Sequence, residues 1–310
     1  QQSNLTSYGA TALAIITLEA FAGMWINAFL ACVLCIAWVK KKSLNSNEKI
    51  LLLLGCSRFC CLCFSWAYCS LAITYPNYLY VHLTFQLTVF FQSFSNCFNL
   101  WVSACLCVFY CIKIASFRNR FFIYLKEKID RIVPWLLLGS GLSALAIGIT
   151  SYDIADKKLS NSRNYTRQGY VLKLTNKTDE HFFHVYFIYG FGFVTSFTAV
   201  IISALLLLFS LWRHKCKMQK NSFNSLSVDA HIKAMKSILS FLVMYSINFM
   251  FLILSLISST KEEKNVVFLS LLFLFAFPSF HSLILILSNP TLEKTLIRIL
   301  SCVKCKVCMK

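Results

Sequence analysis

Between Ile50 and Tyr80 a single charged side chain, Arg58, interrupts an otherwise uncharged run. His281 is the one histidine in a stretch without charge from Val266 to Leu292, and Ser282 follows it. Asn27 lies in the segment Gln1–Val39, whose only charge is Glu19. These residue types can hold or share a proton, but their spacing assembles no catalytic set. No acid accompanies His281, and neither a nucleophile motif nor a phosphate-cradling glycine loop is present. A retinal-type Schiff base needs a lysine inside an apolar segment, and none has one. Ion-coupled transport draws on acids near the midplane, and Glu19 is the only one there. No catalytic residue, cofactor or metal site is expected. What remains is recognition and switching.

Two polar groups can be placed by depth, at 1.5 Å of rise per helical residue. From the basic ends of their segments, Arg58 lies roughly 12 Å in, His281 roughly 10 Å and Asn27 roughly 18 Å. A charged arginine at that depth costs several kcal/mol unless it faces partners inside a bundle. Asn27, Ser57, His281 and Ser282 are the expected acceptors. The clamp is either structural or a switch with two arrangements; Pro278, three residues before His281, frees a carbonyl and permits a kink. The second group is nearer the opposite side. Gln92 and Asn96 are four apart and Tyr245 and Asn248 three apart, so each pair shares a helix face. With Leu252 and Leu271 they are the expected walls of a small-molecule site. Plain interhelical hydrogen bonding is the alternative. No acid lies on the third segment, so a salt-bridged amine ligand is not expected.

The elements that hold these residues follow from composition. Hydrophobic residues make up 58% of 310, charged ones 14%, and the mean hydropathy is +0.66. A soluble chain is less apolar and carries roughly 25% charge, so soluble enzymes and disordered chains are excluded. Seven windows reach the about 20 apolar residues that a crossing helix needs. They predict an all-α membrane protein, a seven-transmembrane helix bundle forming one domain over 1–310. Its spans are about 9–39, 50–73, 83–115, 132–152, 183–212, 237–259 and 266–288, with a tail at 289–310. The first is too long and too little basic at its start for a cleaved signal peptide. Gln1 in place of Met implies that the initiator was removed or omitted.

Lys and Arg then set the orientation. One side collects 21 of the 30 and the other eight, Arg58 being buried, so the net charges are about +16 and +2. The basic side is cytoplasmic, the N-terminus extracellular and the C-terminus cytoplasmic, in a multi-pass plasma-membrane protein. The formal charge of +18 thus reads as topology and attraction to membrane lipid, not as a nucleic-acid surface. Three N-x-S/T sequons, at Asn4, Asn164 and Asn176, all fall on the outer side, where glycosylation occurs. None of the 15 cysteines lies in an outer loop. Cys302, Cys305 and Cys308, interleaved with lysines beside the membrane, suit palmitoylation. Plain thiols are the alternative, and three thiols without a fourth ligand make a poor zinc site. Pro290 can open a short amphipathic helix with Leu292, Leu296, Ile297 and Leu300 on one face.

In chain order, a set of short motifs accompanies these spans. They are Glu19-x7-Asn27, Leu53-Leu54-Gly55-Cys56-Ser57-Arg58, and Trp101-x7-Phe109-Tyr110-Cys111-Ile112-Lys113-Ile114-Ala115-x-Phe117. Phe122-x-x-Leu125-Lys126, Ser210-Leu211-Trp212-x-His214-x3-Met218 and His231-x-x-Ala234-x-Lys236 follow. Phe241-Leu242-x-x-Tyr245 and His281-Ser282-x-x-Leu285-Ile286-x-x-Asn289-Pro290 complete the set. In this order they resemble the type 2 taste receptors, the bitter taste receptors. A type 1 vomeronasal-like chemoreceptor is the nearest alternative, and a transporter or channel a distant one.

The resemblance implies a G-protein-coupled receptor that binds bitter small-molecule agonists from outside and activates a gustducin-like heterotrimeric G protein. It implies a ligand-site role for Asn96 and a switch role for Tyr245, with Asn27, Arg58, His281 and Ser282 in the inner polar contact. Tyr110 and Lys113 stand where rhodopsin-like receptors carry an arginine contact. Lys113, Arg213, His214, Lys217, His231, Lys233 and Lys236 are the expected G-protein contacts, or else only the basic-side signal. Gln92 replaces a tryptophan common in the family, and Ser196 a span-five proline. The family's ligand preferences therefore do not carry over.

Overall fold

The computed structural model describes residues 7–74, 82–115, 119–167, 179–220, 238–251, 253–254 and 264–308. Its regular elements, among the described residues, are all helices: α1 (Ser7–Lys41), α2 (Ser46–Thr74), α3 (His82–Ile114), α4 (Arg120–Arg167), α5 (Asp179–Lys220), α6 (Ile238–Phe251), α7 (Lys264–Ser288) and α8 (Pro290–Cys308). In hydrocarbon every N–H and C=O must be satisfied within the segment, which is why apolar runs of this length become helices. Six are long and apolar enough to cross a membrane, and α6 is a shorter apolar seventh. The expected seven-helix bundle is what the chain forms.

Local chemistry sets the ends of the helices. α1 stops in an αL cap, with Lys42 at φ 56° and its N–H donating to the Trp38 carbonyl at 2.8 Å. Asn45 caps α2, and its own N–H donates to Glu48 Oε2 at 3.0 Å, one half of a capping box. Asn119 Oδ1 accepts the Phe121 N–H at 3.0 Å ahead of α4. Asn289 Oδ1 accepts the Thr291 N–H at 3.1 Å, with Pro290 at the first helical position, as expected for α8. Two helices overrun their expected spans: 132–152 lies inside α4 and 183–212 inside α5. The flanks 120–131, 153–167 and 213–220 contain no Gly or Pro, so nothing breaks the helix where hydropathy ends. Asn4 and Asn176 lie outside the described residues, as does the side chain of Asn164.

α3 forms the centre. In its most apolar window 67% of residues are buried, against 33–44% in the other five long helices. It packs on α2, α4 and α5, while α1 packs on α2 and α7, and α8 on α7. Leu30, Leu54, Val102, Leu106, Ile129 and Ile286 join five helices in the basic-side core, and Leu292 pins α8 to it. Close helix approach uses small residues. A Cβ at Gly55 would stand 3.3 Å from the Asn27 carbonyl, and one at Gly23 would overlap Ser279 and Leu62. Exposed Leu18, Trp25, Phe209 and Met250 form the apolar exterior that faces lipid.

Candidate functional site

Arg58 is fully buried and spreads its guanidinium across two neighbouring helices. Nε donates to Asn99 Oδ1 at 3.1 Å, Nη1 to Ser282 Oγ at 2.8 Å and Nη2 to Ser103 Oγ at 3.2 Å. Nη2 also meets His281 Nδ1 in a short contact, so the neutral imidazole accepts there. The planar fork of arginine suits this role, because fixed donors reach several acceptors at once. Ser282 Oγ passes the chain on to Asn27 Oδ1 at 2.7 Å, and Asn27 Nδ2 donates to the Gly23 carbonyl at 2.8 Å. Four helices, α1, α2, α3 and α7, thus share one network. None of the groups bonded to Arg58 is charged. The Phe277 ring lies 5.9 Å from the guanidinium carbon and supplies a cation–π contact.

The expected clamp of Asn27, Arg58, His281 and Ser282 is present, with two corrections to the acceptors. Ser57 bonds to its own helix, donating to the Leu54 carbonyl at 3.0 Å, and does not reach Arg58. Asn27 touches Arg58 only through Ser282. The missing acceptors come from α3, as Asn99 and Ser103.

Directly beside this network a cavity of about 300 Å³ opens between α2, α3, α5, α6 and α7. Gln92, Asn96, Asn248 and Leu271, all expected walls, line it, as does Pro278. Gln92 Nε2 donates to Ser65 Oγ at 2.7 Å. Asn96 Oδ1 accepts from Cys61 Sγ at 2.9 Å, and its amide nitrogen has no hydrogen-bond partner among the described residues. Phe193, Phe275 and Phe277 make the wall largely apolar, and none of the lining side chains is charged. Leu252 lies outside the described residues. Tyr245 is placed deeper than expected: it does not line the cavity but is buried, parallel to Phe197 at 6.0 Å and edge-on to Phe277 at 5.9 Å. Asn99 and Phe277 belong to both structures, because each lines the cavity and each touches Arg58.

On the basic side, the ends of α3, α5, α6 and α7 enclose only about 70 Å³, between Tyr110, Leu207, Phe241 and His281. The His281 ring lies tilted against Phe241, centroids 4.2 Å apart, so α6 is in contact with the clamp. Lys113 is exposed and paired with Asp130 at 2.7 Å, a bond across to α4. Arg213 and His214 are exposed at the end of α5. His231, Lys233 and Lys236 lie outside the described residues, as do the side chains of Lys217, Cys302, Cys305 and Cys308.

The family model described as Taste receptor protein (TAS2R) matches residues 5–304. The chain belongs to the TAS2R family. It is similar to taste receptor type 2 member 8 of Gorilla gorilla gorilla, at 32% identity over 301 residues, covering 94% of this chain and 95% of the relative. Taste receptor type 2 member 129 of Mus musculus is 32% identical over 298 residues, 94% and 91% of the two chains. Taste receptor type 2 member 9 of Homo sapiens is 30% identical over 293 residues, 93% and 92%. TAS2R membership makes this a multi-pass membrane receptor of a signalling family, not an enzyme. The vomeronasal-like and transporter alternatives fall with it. Within this TAS2R chain, sequence reasoning missed Asn99 and Ser103. The available signal was helical spacing: Asn99 follows Asn96 by three and Ser103 follows Asn99 by four.

Proposed function

We propose that this chain is a bitter-taste receptor in which a small molecule in the cavity resets the Arg58 clamp and so opens the basic face to a gustducin-like heterotrimeric G protein. The observation that carries the reading is the sharing of Asn99 and Phe277 between the cavity and the clamp. A ligand that pushes on either residue acts directly on an Arg58 contact. It shifts the receptor only through its different affinity for the two arrangements. The uncharged, largely apolar wall with amide groups suits uncharged, moderately apolar agonists carrying a hydrogen-bond acceptor for Asn96. With Gln92 bonded to Ser65, that position offers an amide where an aromatic platform would stand.

The opposite end supports the output half. A helix is 10–12 Å across, and about 70 Å³ cannot admit one. In this reading the closed face is the resting one. Outward movement of α6, released when His281 and Phe241 part, would make room for a partner helix between Tyr110 and Leu207. Exposed Lys113, Arg213 and His214 would border that opening. In this reading the basic side is cytoplasmic and the N-terminus lies outside.

Asn96→Ala is expected to raise the half-maximal concentration for responsive agonists at least tenfold while surface expression stays near normal. Calcium imaging of cells supplied with a matching G protein, across chemically diverse bitter compounds, checks it. An unchanged dose–response for every agonist would leave Asn96 a structural residue and remove the cavity from the reading. The orientation has its own check. Protein from eukaryotic cells is expected to carry a glycan at Asn164 or Asn176, seen as a gel shift on glycosidase treatment that is smaller in the Asn164→Gln/Asn176→Gln double variant, where Asn4 is the one outer sequon left. No shift of the wild-type receptor on glycosidase treatment would undo the outer assignment of that segment.

A further inference from the structure

We propose that the basic ends of α1, α2 and α4 form a binding site for one anionic phospholipid of the adjoining leaflet, its phosphate held between Lys42 and Lys49. A groove of about 560 Å³ lies there, separate from the cavity and the clamp. Leu52 and Leu53 of α2 and Pro134 and Leu137 of α4 give it apolar walls, and Lys42 and Lys49 stand at its edge. That combination suits a molecule with an acyl chain and an anionic head.

Three observations carry the assignment. First, the nearby acids are committed elsewhere. Glu48 pairs with Lys41 at 3.2 Å and accepts the Asn45 N–H at 3.0 Å. Asp130 pairs with Lys113 at 2.7 Å, and Lys49 acts on it through space without forming an ion pair. Lys42 and Lys49 are exposed and have no ion-pair partner among the described residues. Second, Lys42 occupies a left-handed position, φ 56°, where glycine is the usual residue. A lysine thus stands at the groove's edge in a backbone conformation unfavourable to it. Third, the height is right. Trp38 lines the groove and is 52% exposed, and Trp135, next to Pro134, is 73% exposed. Indoles gather at headgroup level, so the two lysines stand where a lipid phosphate lies. A sterol brings no charge, and the phosphate of a zwitterionic lipid is already offset by that lipid's own ammonium, so neither supplies net negative charge to the two lysines. An anionic one neutralises them, and polybasic surfaces attract such lipids in this way.

The test uses the purified full chain in nanodiscs of phosphatidylcholine with small, equal amounts of phosphatidylinositol 4,5-bisphosphate and cholesterol, read by native mass spectrometry of retained lipid. It scores lipid retention alone, so its outcome is independent of the agonist reading. The wild type is expected to hold the phosphoinositide about tenfold more than Lys42→Gln/Lys49→Gln does. Leu53→Trp, which fills the groove with both lysines intact, is expected to lose it similarly. Lys40→Gln/Lys126→Gln removes the same charge outside the groove and is expected to retain the lipid. Equal loss in that control would reduce the effect to the field of the whole basic side and overturn the site. Undiminished retention in both groove variants would overturn it as well, and so would preferential retention of cholesterol by the wild type.

Discussion

Arg58→Met is expected to abolish agonist-evoked signalling at every concentration while lowering stability by only about 1–3 kcal/mol. The two effects separate because of what surrounds the arginine. Its bonded partners, Asn99, Ser103, His281 and Ser282, are all neutral, and each could find some other bond or water once the guanidinium is gone. Methionine fills much of the volume and removes the cost of burying an uncompensated charge, which offsets part of the loss. What cannot be replaced is the tie from α2 to α3 and α7, through which a push on Asn99 reaches His281. Arg58→Lys keeps the charge but offers one compact donor group in place of a fork. It is expected to respond with a half-maximal concentration raised tenfold or more. Calcium responses normalised to surface-labelled receptor, beside thermal unfolding of the purified protein, measure both halves. A full response from Arg58→Met would leave the network a structural clamp and nothing more.

The same network shows how much of the site the residue types alone specify. Arg58 and His281 are conspicuous because charge and imidazole are rare in hydrocarbon, and a buried arginine must find acceptors somewhere. Which acceptors is a matter of rotation about helix axes. Successive helical residues point about 100° apart, so Ser57, next to Arg58 in sequence, looks elsewhere and bonds its own backbone. α3 offers Gln92, Ser93, Ser95, Asn96, Asn99 and Ser103 within twelve residues. Only packing against α2 and α7 selects Asn99 and Ser103 for the arginine and leaves Gln92 and Asn96 to the cavity. Hydropathy likewise marked where α4 and α5 cross the bilayer but not where they end. Hydrocarbon thickness limits the apolar stretch, whereas a polar helix can run on into water until a turn residue stops it. The end of α8's connection was legible for the opposite reason: Asn289-Pro290 is a local capping signal that needs no tertiary partner.

Asn99 gives the sharpest test of coupling, because two substitutions there are expected to act in opposite directions. Asn99→Asp places a carboxylate against a guanidinium whose present partners carry no charge, at a site where Asn99 is 7% exposed and Arg58 fully buried. A charge-assisted bond of this kind is roughly twice as strong as the neutral one it replaces, and it also supplies the missing counter-charge. The arrangement in the structure, with its closed basic face, gains most from that. Agonist must then work against a deeper resting state, and its half-maximal concentration is expected to rise about tenfold, equivalent to about 1.4 kcal/mol. Thermal stability should rise with it. Asn99→Ala removes the Nε acceptor and enlarges the cavity at its junction with the clamp. The resting arrangement is weakened, and basal activity without agonist is expected to increase, with a lower melting temperature. Basal and agonist-driven nucleotide exchange in membranes, measured beside the melting curves, tests both variants. If Asn99→Asp and Asn99→Ala shift signalling in the same direction, the bond from Arg58 to Asn99 does not set the resting–active balance, and the route from cavity to clamp must run through Phe277 alone.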